Sequence, residues 1–544
     1  MSHRSLLVFV SIATLVTGKT VRSPTPPLGW NSYNTWSCTP SEDKIKESAE
    51  GLIALGLDKV GYRFVTVDCG WNARDRDDEG RLQWNATLFP SGGKALGDFI
   101  HNLGLGFGLY SGAGYLQCGS TDLPASLGFE QLDAESFAEW GGDSLKYDNC
   151  YSTSNTTMVD SSSAESQSPA RFQHMATELE AVDRDIEYFV CQWGIGQDVG
   201  TWASEIGNTW RISNDIYNAW RSIWRITNQV VPYYRHTTVG AFADMDMLIV
   251  GLNALSAEEE RFHFGMWAIN KSPLILGAAL DPDRLSQASL AIMSNKEVIA
   301  LNQDSLAKQA QLVRRNTEAE WDVWLGELSG SRQILGIANW KNDSQDVSLD
   351  LGTLGIATAQ ARDIWAARDV GEISKTQNIS LAGHQLKLWL LSDIVPAAPL
   401  KSERYYDAAQ ASLIGSAQRS KCPNGTCLPS GSKIEGIGPG GRVVFSNVTA
   451  QAAGTNLLVI DFINYDYAFT TAWGLGDNIR NATIAVNDHK ATRWAFPLSG
   501  GNWNESGRLF VECDGFVKGS RNVVTFAGFG NNSSPDLVGF ELLG

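Results

Sequence analysis

SLKYDNC, residues 144 to 150, reads as a short β-strand with a carboxylate near its C-terminal end and a lysine two residues earlier. Side chains alternate along a strand, so Lys146 and Asp148 share one face while Tyr147 and Asn149 share the other. An ammonium that close favours the ionised carboxylate, the form a nucleophile needs, and makes Asp148 the first catalytic candidate. On these residues alone a turn or cap aspartate is the commoner reading. The surrounding sequence favours catalysis.

The pattern recurs on both sides of the strand. LGWNSYN (28 to 34), YRFVTVDCGW (62 to 71), GFGLYSG (106 to 112), DSLKYDNC (143 to 150), EYFVCQW (187 to 193), TWRISNDI (209 to 216), DMDMLIV (244 to 250) and PLILGA (273 to 278) are short apolar stretches separated by helical ones. Eight such units predict a (β/α)8 barrel over 26 to 305. A polar or charged residue falls near the C-terminal end of each strand, where barrel enzymes assemble their sites. The Ser- and Thr-rich run 151 to 169 reads as an exposed loop. After Gln303 the helices stop. VRRNTEAEWDVWLGEL, RQILGIANW, VSLDLG and HQLKLWLLS alternate as strands, predicting an antiparallel β-sandwich over 306 to 394. A linker with Pro and Ala, 395 to 403, leads to a second all-β unit over 404 to 544.

A chain of 544 residues is too long for one hydrophobic core, which agrees with this division. Its formal net charge of -17 opposes phosphate backbones and anionic membranes, so neither nucleic acid nor membrane is an expected partner. Neutral ligands fit. The 19 Trp and 14 Tyr exceed what a core requires, and exposed aromatic surface is one outlet for them. MSHRSLLVFVSIATLVTG has the layout of a cleavable secretory signal over 1 to 18, and no later stretch is long enough to span a bilayer. A secreted, extracellular protein follows. Glycosylation triplets at Asn85, Asn155, Asn342, Asn378, Asn424, Asn447, Asn481, Asn504 and Asn532 agree with that route. Of the eight cysteines, the expected pairs are Cys38 with Cys69, Cys118 with Cys150 and Cys422 with Cys427. Cys191 and Cys513 remain, most simply as buried apolar thiols. No cysteine spacing matches a metal knuckle.

In TWRISNDI, Asp215 ends the sixth predicted strand, with Arg211 four residues earlier. Hydrolysis of a glycosidic bond needs one carboxyl to attack or activate and another to protonate the leaving oxygen, and strands four and six converge over one barrel mouth. Asp215 is therefore the candidate acid, although an arginine beside a carboxyl is commonly a structural salt bridge. Asp68, Tyr110, Lys146, Trp193 and Asp246 stand at the ends of separate predicted strands. They combine directional partners for sugar hydroxyls with an aromatic surface for the apolar face of a pyranose. Trp30, Trp36 and Trp71 read better as core. The acidic run RDRDDEG (74 to 80) lacks the closing glutamate of a calcium loop and reads as solvated. No metal site, phosphate-binding glycine loop or Ser-His-Asp order is apparent.

These motifs, together with GRLQWNATLFPSGGKALGDFIHNLGLGFGLYSGAG, SLGFEQLDAESFAEWGGDSLKYDNC, CQWG, FHFGMWAINKSPLILGAAL and NKEVIALNQD, resemble glycoside hydrolase family 27 in order and spacing over about residues 26 to 395. This is the family of α-galactosidases and α-N-acetylgalactosaminidases. The resemblance implies a retaining, two-step mechanism on terminal α-galactosyl residues, with Asp148 as nucleophile and Asp215 as acid and base, their carboxyls ~5 to 5.5 Å apart. The family pocket maps onto Tyr33, Asp68, Tyr110, Cys118, Lys146, Cys191, Trp193, Arg211, Asp246 and Met247. The Cys118–Cys150 pair matches a family disulfide beside the nucleophile. There are departures. The second strand usually ends in Asp-Asp-Cys-Trp, both Asp gripping the galactose O4 and O6. Here Val67-Asp68-Cys69-Gly70-Trp71 has one carboxylate fewer. Gly112 stands where Asp is usual, Gln192 where several relatives have Glu, and Met245 where Pro is common. A β-L-arabinopyranosidase, whose substrate lacks the C6 hydroxymethyl, and an isomalto-dextran hydrolase are thus alternatives within the family. A carbohydrate-binding lectin on an inactive scaffold is the rival of another class, opposed by retention of both aspartates.

YYDAAQASLIGSA, GGRVVFSNVTAQAAGTNLLVIDF and PDLVGFELL resemble a family 35 carbohydrate-binding module, a β jelly-roll. Tyr465, Tyr467, Trp473 and Trp503 are either sugar platforms or core. No cofactor is expected for the barrel. A structural calcium in the C-terminal unit is the one metal the resemblance allows, and Asp407 and Ala409, where the opening motif usually has Glu, weaken it. Nothing in the sequence sets an oligomeric state.

Overall fold

Strands β1 (Leu28–Asn31), β2 (Phe64–Thr66), β3 (Gly106–Gly112), β4 (Ser144–Asp148), β5 (Glu187–Val190), β6 (Thr209–Arg211), β7 (Phe242–Asp244) and β8 (Leu274–Leu276) form one parallel sheet in the order β7-β6-β5-β4-β3-β2-β1-β8. Its ends meet through Leu248, just beyond β7, which bridges Leu276 of β8 in parallel and donates its N–H to the Ile275 carbonyl at 2.7 Å. This is the barrel, in a computed structural model that describes residues 23–160, 166–195, 198–466 and 477–544. The expected leader and the aromatic candidates Tyr467 and Trp473 lie outside the described residues. Around the sheet run α1 (Tyr33–Trp36), α2 (Glu42–Ala54), α3 (Gly92–Asn102), α4 (Glu130–Glu139), α5 (Ser168–Ala181), α6 (Val199–Ile206), α7 (Trp220–Val230), α8 (Ala257–Ile269), α9 (Gln287–Met293) and α10 (Lys296–Asn302). Helix starts follow local chemistry. Ser256 and Glu259 form a reciprocal capping box on α8, and Asn295 caps α10. Among the described residues no helix is long and apolar enough to cross a membrane.

The barrel strands are shorter than their apolar stretches suggest, β3 excepted. Past the ladder, several backbone N–H groups go to site side chains instead of a neighbouring strand: Asp68 N–H to Ser32 Oγ at 2.9 Å, and Ile216 and Met247 N–H to Asp246 at 2.7 and 2.6 Å. Consequently Asp68, Trp193, Asp215 and Asp246 stand on the loops after β2, β5, β6 and β7, and Tyr33 opens a short helix rather than continuing a strand.

Beyond the barrel, β9 (Gln311–Asn316), β10 (Trp321–Leu328), β11 (Arg332–Asn339), β12 (Gln345–Asp350), β13 (Ile356–Asp363), β14 (Arg368–Ser374), β15 (Thr376–Leu381) and β16 (Leu386–Pro396) make a six-stranded antiparallel sheet, β14-β13-β16-β11-β10-β9, faced by the pair β12-β15. Residues two apart on facing strands fill the space between them: Leu335 and Ile337, Val347 and Leu349, Ile379 and Leu381.

The C-terminal unit contains β17 (Ser402–Asp407), β18 (Ser412–Ile414), β19 (Gln418–Lys421), β20 (Ser432–Glu435), β21 (Arg442–Ala450), β22 (Gly454–Ile463), β23 (Arg480–Val486), β24 (Thr492–Phe496), β25 (Gly507–Phe516), β26 (Gly519–Gly528) and β27 (Asp536–Leu543). They form two antiparallel sheets, β19-β20-β27-β22-β25 with β17 also on β27, and β18-β21-β26-β23-β24. Phe445, Phe526 and Phe540 pack between them. Asp407 uses one carboxylate oxygen to accept from Ala409 N–H and Ser430 Oγ, at 2.8 and 2.9 Å, and no group of three or more metal-ligating side chains occurs among the described residues.

This unit is docked rather than tethered. β16 runs into the expected linker as far as Pro396 and β17 starts at Ser402. One hydrophobic core continues from the barrel into the C-terminal sheets. Arg315 on β9 joins all three parts, reaching Asn228 of α7 and the Ala495 carbonyl of β24 while pairing with Asp322 of β10. Arg221–Asp477 and Arg235–Glu505 add ion pairs at 3.0 and 2.7 Å.

Candidate active site

β4 presents Lys146 and Asp148 to the barrel mouth and sends Tyr147 into the core. Parallel register sets Tyr110 of β3 opposite Lys146 and Gly112 opposite Asp148. Asp148, 7% exposed, accepts from three donors: Tyr110 Oη at 3.0 Å on one oxygen, and Trp193 Nε1 and the Asn149 N–H at 2.9 Å on the other. These bonds fix its orientation.

The lysine makes a different partnership from the one its spacing suggests. Lys146 Nζ donates to Asp68 at 2.8 Å, and the same oxygen accepts from Asn31 at 2.7 Å. It also lies 5.6 and 5.3 Å from the Tyr33 and Tyr110 ring centroids. Burial works to lower the Lys146 ammonium and is outweighed first by the Asp68 carboxylate, so the lysine stays charged. For Asp148 the balance corrects the sequence expectation. Burial raises its carboxyl above the ordinary value, with Lys146 opposing and Asp215 and Asp68 adding to the rise. Burial likewise pushes Tyr33 up to about 12, helped by Asp215 and Asp68, so its phenol keeps its proton.

Trp193 reaches Asp148 from the loop after β5 in a left-handed backbone conformation, φ 74°. Gly194 follows it at φ 67°, and a Cβ there would stand 1.9 Å from the Ile212 carbonyl oxygen, so only glycine fits beneath the tryptophan. Cys38–Cys69 and Cys118–Cys150 form, as does Cys422–Cys427. Cys69, Cys118 and Cys150 line the pocket. Cys191 and Cys513 are free and buried. Cys191 stands below the main pocket, in a small cavity of about 30 Å³ with Asn31, Lys146 and Arg211. Burial pushes its thiol well up, which keeps it neutral.

On the opposite wall Arg211 ends β6 and holds three carboxylates: Asp246 at 2.7 Å, Asp215 at 3.1 Å and Asp244 at 3.5 Å. Asp246, also left-handed at φ 82°, is buried, and burial raises its carboxyl against the pull of the Arg211 guanidinium. Asp215 is the least enclosed, its side chain 39% exposed. Strain in two non-glycine residues on one rim is characteristic of functional sites.

Tyr33, Asp68, Tyr110, Cys118, Lys146, Asp148, Trp193, Arg211, Asp215, Asp246 and Met247 thus surround one cavity of about 430 Å³. Cys191 alone among the candidates does not reach it. Sequence reasoning missed Asn31, which anchors Asp68, and Asp244, whose Oδ1 accepts the Asp246 N–H at 2.8 Å. The Asp-Met-Asp spacing was the available signal for the latter. Asn34, Met158, Tyr217 and Asn218 also line the cavity and carried no signal of their own.

A family model described as Alpha galactosidase A matches residues 25–304, and one described as Alpha galactosidase C-terminal beta sandwich domain matches 318–391. The chain is 38% identical, over an alignment of 615 positions, to a probable α-galactosidase D of Aspergillus fumigatus, covering 95% of this chain and 94% of that protein. It is 36% identical over 630 residues to an α-galactosidase D of Emericella nidulans, covering 95% of each. Among solved structures, α-galactosidase I from Mortierella vinacea superposes with a TM-score of 0.64 at 31% identity, over 69% of this chain and 99% of that one. With matches that take in the barrel, the sandwich and nearly the whole chain, the protein belongs to the α-galactosidase family of glycoside hydrolases, family 27.

Proposed function

We propose that the protein is a secreted, retaining exo-α-galactosidase. The carrying observation is the contrast between two carboxylates in one sugar-sized cavity. Asp148 is buried and immobilised by three donors, whereas Asp215 is partly solvated on a loop with a single guanidinium partner. A fixed, desolvated carboxylate suits in-line attack on the anomeric carbon. A solvated one suits delivery of a proton to the departing oxygen and later activation of water. In the first step Asp148 Oδ bonds to the anomeric carbon as the glycosidic bond breaks and Asp215 gives its proton to the leaving oxygen. In the second, Asp215 takes a proton from water, whose oxygen displaces Asp148. Asp68 with Lys146, and Asp246 with Arg211, act as preorganised partners for sugar hydroxyls. Tyr110 and Trp193 hold the nucleophile.

The anomeric configuration of the first galactose released from an α-galactoside, followed by proton NMR, tests this. Initial release of the α-anomer is expected, and initial release of the β-anomer refutes the assignment. Asp148→Asn should abolish turnover.

One observation favours a second reading. Asp68 already accepts from Lys146, Asn31 and Cys69 N–H, leaving little capacity for a C6 hydroxyl. A β-L-arabinopyranoside lacks that group, and the ratio of kcat/KM on the two nitrophenyl glycosides decides between them. A family 35-like carbohydrate-binding role for the C-terminal unit is part of the same proposal; of its aromatic candidates, Tyr465 meets Trp503 edge-on, and Trp503 packs against Cys422 and Cys427 with Arg480 over its ring, which favours core over platform for Trp503.

A further inference from the structure

A second cavity, of about 280 Å³, opens where barrel, sandwich and C-terminal unit meet. Its lining includes four tryptophans: Trp220 and Trp224 from α7, Trp321 from β10, and Trp340, just past β11. In volume it stands just under the ~300–1,000 Å³ usual for small-ligand sites. Trp340 meets Trp224 edge-on at 4.6 Å and Trp220 at 5.6 Å, and its indole N–H is tied to Asp322 at 2.9 Å, so this aromatic wall is held in place.

The polar groups in the lining are unevenly used. Arg315 is buried, and of its five N–H donors four are engaged, with Asp322 twice, Asn228 and the Ala495 carbonyl. One Nη2–H has no partner among the described residues. A buried donor left unmade is costly, and a ligand hydroxyl is the natural acceptor. On the rim, Asp477 Oδ1 accepts from Arg221 Nε and Nη2 at 3.2 and 3.0 Å, and among the described residues Oδ2 has no hydrogen-bond partner. Two of the indoles have one face taken, Trp220 by His384 stacked at 4.1 Å and Trp224 by the Arg315 guanidinium at 4.9 Å; the indole surface that remains, with one donor and one acceptor for hydroxyls, suits a pyranose.

Position connects the cavity to the pocket. Tyr217 and Asn218 on the β6–α7 loop line the catalytic pocket, and Trp220, two residues after Asn218, lines the second cavity. We propose that this four-tryptophan cavity is a second, non-catalytic carbohydrate site that holds a remote neutral sugar of the glycan whose terminal residue enters the catalytic pocket. The choice of glycan rests on the reading above.

Isothermal titration of Asp148→Asn protein with a β-mannan oligosaccharide bearing α-galactosyl branches, repeated with added Trp321→Ala or Asp477→Ala, tests the proposal. Each added substitution should remove one class of binding site. The exposed Asp477 guards against loss of fold, because Trp321 also packs against the sandwich core. With Asp148 restored, kcat/KM on the oligosaccharide relative to nitrophenyl α-D-galactoside should fall about tenfold, equivalent to about 1.4 kcal/mol. An unchanged number of sites and an unchanged ratio overturn the proposal. If the wild type does not turn over the nitrophenyl galactoside, the proposed activity fails, while the titration still decides the cavity.

Discussion

Replacing Lys146 by Met leaves the Asp68 carboxylate, only 1% exposed, with its Asn31 and Cys69 hydrogen bonds and no counter-charge. Removing one partner of a buried ion pair costs about 3–5 kcal/mol, on the order of 10 °C in Tm for a domain of this size. Asp68→Asn alone strands the ammonium instead and should be similarly costly. The double variant Lys146→Met/Asp68→Asn removes both charges, so its loss should fall short of the sum of the single losses by on the order of 2 kcal/mol. Activity reads the same charges through Asp148. Lys146 is the strongest influence opposing burial there, so its loss drives the Asp148 carboxyl further up and moves the acid limb of kcat/KM to higher pH. Asp68 pushes in the raising direction, so the double variant should bring the limb partway back. Calorimetry and a pH profile on nitrophenyl α-D-galactoside measure both effects. Strictly additive stability losses, or an acid limb that moves to lower pH in Lys146→Met, refute the arrangement.

Asp148→Asn should be more stable than the wild type at pH 7. The folded carboxyl is raised above its unfolded value, so the wild type has this contribution in full below the unfolded pKa and loses it as pH rises through the folded one. The Tm difference should close on acidification, and a difference that widens contradicts the burial argument. The same raised carboxyl sets an acid limb above the ordinary carboxylate range, with an optimum at mildly acidic pH, and a flat profile up to about pH 9 would oppose it. Arg211→Gln should cost about 3–5 kcal/mol because Asp246 is left buried and unpaired, and a loss below about 1 kcal/mol in chemical denaturation would show the pair to be weakly coupled. Cys118→Ser/Cys150→Ser opens a loop of 32 residues beside Asp148, for which chain entropy predicts a loss of about 3–4 kcal/mol, checked by the denaturation midpoint.

Local periodicity was enough to read the barrel from this sequence. Eight apolar stretches spaced by helices predict it, and β3 occupies the very residues expected, 106 to 112, because every position there takes part in the ladder. Alternation along β4 likewise put Lys146 and Asp148 on one face. Alternation says which face a residue occupies and nothing about what it meets there. The lysine's partner is Asp68, 78 residues away, rather than its neighbour, because pairing follows distance through space. The ionisation of Asp148 depends on water being excluded around it, a property of the assembled barrel and not of any segment. Asp215 and Asp246 lie past the ends of β6 and β7, where Arg211 at the end of β6 pairs with both and the Ile216 N–H bonds Asp246, partners that the period of a strand does not reveal. Most remote of all from the sequence is the four-tryptophan cavity. Residues 220, 224, 321 and 340 belong to two folding units and are walled by a third, so only the docking of the three, pinned by Arg315, brings them together.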